Sequence, residues 1–231
     1  HRDLHSFPTR RSSDLLAEVY GMGIKHQEIR PVLEKATKLI TECQNEQGGW
    51  RYEPIAMDAD MSITVCQVQA LRAARNVGIK VPKKTIDRAL DYIRKSAYYN
   101  GGFKYQLLPM TESRVSFALT AAGVTALHGG GVYDDELARK GLDYLLRPPP
   151  SDPMPPSNHY FYYYGHYYAV QAMYLGGDTY WQRWFPRIRE ELIKNQMPDG
   201  SWEDNVGKIY ATAVSVLILE IPYQYLPIFQ K

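Results

Sequence analysis

The chain has 231 residues, 45% of them apolar, enough for a domain with a substantial core. Its net charge of +2 leaves no basic surplus for nucleic acid or an anionic membrane. Cys43 and Cys66 form neither a CxxC pair nor a disulfide framework, and no apolar run approaches the roughly 20 residues that span a bilayer.

The first fifteen residues, His1 to Leu15, share no periodicity with the rest of the chain. They resemble a translated sequencing-adapter read and are expected to stand outside the fold, which then occupies 16–231. With the native start replaced in this way, any signal peptide, and so the compartment, is left open.

Residues 15–23 read as the tail of a helix ended by glycine. Over 28–44, Val32, Leu33, Ala36, Leu39, Ile40 and Cys43 recur at helical spacing between Lys and Glu, the pattern of an amphipathic helix. Residues 60–76 are almost uncharged in their first turns and need contacts on most sides. The alternation continues with an amphipathic helix over 84–97, a small-residue apolar helix over 115–127 and an amphipathic helix over 134–146. A run of prolines from Pro148 to Pro156 can be neither helix nor central strand. It reads as an ordered surface loop replacing a turn, with a lid or partner-binding segment as the alternative. Then come an aromatic-rich apolar helix over 159–175, an amphipathic helix over 180–196 and a last apolar helix over 208–219. Pro222 and Pro227 flank an apolar tail expected to dock on the body.

Between these helices one pattern repeats. Gln44, Gly48 and Trp50 recur with the same spacing as Gln196, Gly200 and Trp202. A degenerate copy ends at Phe103, with Ala97 in the glutamine place. A repeat of about fifty residues signals an array of helical hairpins. Amphipathic helices bury one face and form an outer layer, while uncharged helices form an inner layer. The expected fold is all-α, an α/α toroid of hairpins in two concentric layers. A closed ring takes about six hairpins and this chain supplies roughly four and a half, so the ring is expected to be incomplete at the N-terminus. At each corner the Gln amide is expected to bond orphan groups at the outer helix end and the inner helix start. Glycine makes the turn, and the Trp ring seals it over the amide.

These motifs resemble the QW repeats of squalene and oxidosqualene cyclases, a superfamily that also holds the protein prenyltransferase β subunits. The wording of Gly48 to Tyr52 and of Asp58 to Ser62 is similar to a large group of bacterial prenyltransferase/squalene-oxidase repeat proteins. The resemblance covers nearly all of 16–231 and implies the toroid more specifically than any activity.

Asp58-Ala59-Asp60-Met61-Ser62 resembles the Asp-x-Asp-Asp-Thr of class II terpene cyclases, whose protonated middle Asp gives its proton to an alkene or epoxide. Asp60 matches that position and Asp58 the first. Met61 replaces the last Asp and Ser62 the Thr, which removes a group that would tune the acid. The alternative is that Asp60 or Ser62 caps the helix, in which case an ionised carboxylate with a lowered pKa is expected. In the aromatic block, Tyr160, Tyr164, Tyr167 and Tyr168 fall on one helix side, with Gly165 leaving room in the row. With His166 they are the expected cavity lining. The cyclases use such aromatics to stabilise carbocations. Tyrosine hydroxyls suit a hydrogen-bonding ligand at least as well, and plain packing is the third reading.

The prenyltransferases hold zinc with an Asp-x-Cys pair and a distant His. Here Thr41 and Thr64 stand where the Asp would precede Cys43 and Cys66, so no metal and no cofactor are expected. The expected function is a repeat protein without cyclase activity that binds a hydrophobic, isoprenoid or sugar-like ligand in a Tyr-rich central cavity. One alternative is an active terpene cyclase or prenyltransferase using Asp60 as general acid. The other is a structural or protein-interaction toroid. Whether the protein is an enzyme, and which proteins it meets, stay open.

Overall fold

The structure is a computed structural model that describes residues 16–23, 26–107, 115–147 and 161–224. The leader, the proline run, Tyr160 and the tail around Pro227 lie outside them. The described residues are helical, with no strand beyond two isolated bridges, Ala97 to Phe103 and Lys104 to Val115.

In chain order the helices are α1 (16–21), α2 (His26–Glu42), α3 (Met61–Asn76), α4 (Lys83–Lys95), α5 (Phe117–Gly129), α6 (Glu136–Leu146), α7 (Tyr162–Leu175), α8 (Asp178–Lys194) and α9 (Lys208–Glu220). A 3-10 turn, Ile221–Tyr223, comes after α9. Capping sets several starts. The side chain of Asp60 accepts the Ile63 N–H, Ser116 that of Leu119 and Asp135 that of Leu137. Each satisfies an otherwise orphan donor in a first turn. Ser116 is why α5 opens at Phe117, two residues beyond the expected 115.

The helices divide into two layers by burial. Every residue of α5 from Ala118 to His128 is buried, and most of α3 and α7 is too. The alternate helices bury single stripes: Ala89, Leu90 and Ile93 in α4, Ala138, Leu142 and Leu145 in α6, Trp184, Ile188 and Leu192 in α8. In the inner layer α5 packs between α3 and α7, and α7 meets α9. Outside it, α4 rests on α3 and α5, α6 on α5 and α7, and α8 on α7. Among the described residues the last inner helix is clad on one side: α9 buries Ala211, Val214, Ser215 and Ile218, while Ile209 is 89% exposed.

The three corners share one backbone. Asn45 N–H donates to Gly49 O, Tyr98 N–H to Gly102 O and Met197 N–H to Ser201 O. Gly48, Gly101 and Gly200 each take a positive φ. At Gly48 the absent side chain also matters: a Cβ there would lie 2.2 Å from Arg88 O of α4. At Gly101 it would lie 2.6 Å from Lys140 O of α6. The corner glycines thus let the next outer helix close onto the turn. Gly200 has no such neighbour.

The polar partners differ from those expected. The Gln44 amide donates to Gly48 O at 2.8 Å and to Thr85 O, in the first turn of α4, at 2.9 Å. It ties its own turn to the following outer helix, not to the inner helix start. The orphan carbonyls of the outer helix go to the indoles instead. Trp50 Nε1 donates to Ile40 O at 2.7 Å, and Trp202 Nε1 to Leu192 O at 2.8 Å. Gln196 repeats only the bond to its own turn, Gly200 O. A further member of the repeat is a threonine early in the inner helix that comes after each corner. Thr64, Thr120 and Thr212 accept the backbone N–H of Trp50, Phe103 and Trp202 through Oγ1, at 3.2, 3.2 and 3.1 Å.

Candidate functional site

The corner after α2 delivers Arg51, Tyr52 and Asp58 beside the first turn of α3, and the segment after Phe103 brings Tyr105 and Gln106 against it. Met61 N–H donates to Tyr105 O at 2.8 Å, and Gln106 Nε2 to Ala59 O at 3.3 Å. The Tyr52 and Tyr105 hydroxyls meet at 3.2 Å. Tyr52, Tyr105 and Gln106 are half-buried, so a polar aromatic rim surrounds the start of α3.

At the centre of this rim Asp60 is fully buried. Its Oδ1 accepts Ser62 Oγ at 2.6 Å and Ile63 N–H at 2.9 Å, which makes it the N-cap of α3. Its Oδ2 is buried without a hydrogen bond, with Arg51 Nε 3.8 Å away. Arg51 also pairs with the half-exposed Asp58. Burial pushes the Asp60 carboxyl above its ordinary range, against the pull of Ser62, the Ile63 N–H, Arg51 and Tyr105. The cap therefore has the geometry of a helix start without the lowered pKa expected of one. Desolvation outweighs the cap bonds because one oxygen is left bare.

The aromatic block fans out in several directions. Tyr162 donates to Glu191 of α8 at 2.7 Å, and His166 lies against Tyr162, Phe117 and Trp184 on the same outer side. His166 therefore packs between layers and does not join the face formed by Tyr164, Tyr167 and Tyr168. Those three rings cluster, with centroids 4.9 and 5.0 Å apart. Gly165 makes no gap in their row. A Cβ there would stand 3.1–3.2 Å from Phe117 and Ala118, so this glycine lets α7 close on α5.

Across the inner face α7 reaches over α5 to α3. Tyr164 OH donates to Ser62 O at 3.2 Å, the Tyr168 hydroxyl meets Cys66 Sγ at 3.1 Å, and Gln69 Nε2 donates to Gln171 Oε1 at 3.0 Å. From below, Thr125 of α5 donates to Tyr168 O at 2.8 Å. Each of the three rungs joins residues 102 apart in sequence. Tyr168 is buried in this ladder and its ionisation is strongly suppressed, so it is a packing residue and not a cavity wall. Tyr164 is half-buried and adjoins Ser62, which places it next to the Asp60 rim, while the half-buried Tyr167 lies against Tyr168.

The structure thus brings Asp58, Asp60 and Tyr164 together, leaves Tyr167 against Tyr168 and separates off His166, while Tyr160 lies outside the described residues. Sequence reasoning missed Arg51, Tyr52 and Tyr105. The signal for the first two was their place directly after a corner Trp that precedes a helix-capping Asp. Among the described residues no three His, Cys, Asp or Glu side chains gather as a metal site, and no helix is long and apolar enough to cross a membrane. Compared with known proteins, the chain matches no family model and no curated sequence.

Proposed function

We propose that this chain is a squalene-cyclase-like repeat protein, part of an α/α toroid, that binds a hydroxyl-rich ligand at the rim around Asp60 and does not cyclise. Three corners of one design support the repeat reading, and the contact of α7 with α3 across α5 supports inward curvature. The observation that carries the ligand reading is the row of half-buried tyrosines, Tyr52, Tyr105 and Tyr164, around a buried carboxylate. Phenol hydroxyls and the Arg51–Asp58 pair favour a sugar-like ligand over a bare hydrocarbon chain, because a hydrocarbon would strip water from these polar groups without replacing its hydrogen bonds.

A second reading has one observation in its favour. Asp60 is buried, its carboxyl pKa is raised and Oδ2 is unbonded, which are attributes of a general acid. Against it, Oδ1 is committed to the cap and Met61 supplies no second carboxylate.

The experiment incubates the protein with squalene and with a prenyl diphosphate, and titrates it with a sugar-like probe read by tyrosine fluorescence. The expected result is no product and saturable sugar binding that Tyr164→Ala weakens. A cyclised or transferred product that disappears in Asp60→Asn would establish the acid instead.

A further inference from the structure

The far ends of α3 and α5 form a second place of interest, some twelve residues along α3 from Asp60, or about 18 Å at helical rise. A cleft of about 220 Å³ opens there. Leu71, Val81 and Ile86 give it an apolar floor, and Arg72, Arg75 and Asn76 give it a polar side. The Gly129 to Gly131 turn and Tyr133 close it.

Its two arginines stand apart from the arginine–carboxylate pairs of the chain. Arg30, Arg51, Arg94 and Arg139 each pair with a carboxylate. Arg72 and Arg75 pair with none among the described residues, and no Asp or Glu lines the cleft. Arg72 is held in place: its Nη1 donates to His128 O at 2.8 Å and its guanidinium lies 5.7 Å from the Tyr133 ring centre. Tyr133 in turn stacks on His128 at 5.4 Å and 19°. Beneath this stack His128 is fully buried with neither ring nitrogen bonded.

The bland account is that both arginines offset helix C-terminal dipoles. Two helix ends carry about −0.5 charge each, against two full positive charges, so a net of about +1 remains. Arg72 spends one donor on a helix carbonyl and Arg75 none. We propose that this cleft binds a small carboxylate with a short apolar tail, the carboxylate on Arg75 and Arg72 and the tail on Leu71, Val81 and Ile86. The volume lies below the roughly 300–1,000 Å³ of sites for drug-sized ligands, which limits the guest to a small one. Guanidinium forks recognise carboxylates by paired hydrogen bonds, and branched alkyl groups suit the aliphatic floor.

The test titrates the isotope-labelled full chain with isovalerate, isovaleramide, acetate and inorganic phosphate, following the amides of Gly130 and Gly131 by NMR. Isovalerate is expected to give saturable shifts there. Arg75→Gln, at an exposed position that leaves the core intact, is expected to weaken it roughly tenfold to hundredfold, the range for a charged hydrogen bond. Acetate, lacking the tail, is expected to bind roughly tenfold more weakly or worse. Absence of cleft shifts with isovalerate would overturn the proposal. So would equal binding of isovaleramide, of acetate or of phosphate, or an unchanged affinity in Arg75→Gln.

Discussion

Asp60 serves as a cap at the cost of desolvating its own carboxylate. Because burial raises its pKa, the folded chain binds the proton more tightly than the unfolded chain does. Its contribution to stability therefore falls as pH rises from the unfolded value, ~3.9, through the folded one. Asparagine caps about as well and carries no charge. Urea denaturation between about pH 3 and 8 is expected to show Asp60→Asn gaining stability relative to wild type as pH rises through this window, then levelling off. The opposite slope would mean that Arg51 makes the ionised form the favoured one. His128 gives the mirror case. Burial, helped by the Arg72 charge, lowers its pKa to about 4. Below the unfolded value of ~6.5 the unfolded chain is protonated first, so stability is lost as pH falls from there towards 4, by about 3 kcal/mol in all. His128→Phe is expected to flatten that part of the pH–stability curve, and imidazole NMR of the wild type is expected to show no titration of His128 near neutral pH.

At the scale of the element, the corner works through its hydrogen bonds as much as through its rings. Trp50 and Trp202 are both buried, and each indole N–H serves an outer-helix carbonyl. Truncation to alanine is expected to cost about 3–5 kcal/mol at either site. Thr64→Val, which keeps the shape but leaves the Trp50 N–H unmet, is expected to cost about 1–3 kcal/mol. Chemical denaturation would rank the three variants, and a Thr64→Val as stable as wild type would show that the hydroxyl is dispensable. The helices and the Gln-Gly-Trp corners were legible in the sequence because period and spacing are local. The threonines were not, since they come after their aromatic by 14, 17 and 10 residues, according to the length of each connection. The destination of the Gln44 amide was hidden for a similar reason: its second acceptor, Thr85 O, lies 41 residues on.

At the scale of the molecule, the direction of each ring in the aromatic block was illegible for another reason. Consecutive tyrosines point all round a helix, and only the neighbours decide what each one meets. Tyr163 makes an edge contact with Tyr210 of α9, Tyr162 bonds Glu191 of α8, and Tyr168 meets Cys66 of α3. That last contact belongs to the ladder from α7 to α3, and the ladder bears on how the chain comes apart. Stacked hairpins that touch only their neighbours can fray one at a time, because each interface is lost separately. Here the first and third inner helices are fastened to each other over the second. Releasing any one of the three then exposes the other two. The segment 61–175 is expected to melt in a single step, with equal calorimetric and van't Hoff enthalpies and its slowest amide exchange in α5. Cutting two rungs with Cys66→Ala and Gln171→Ala is expected to divide that step, so that α7 to α9 open at lower denaturant than α2 to α5.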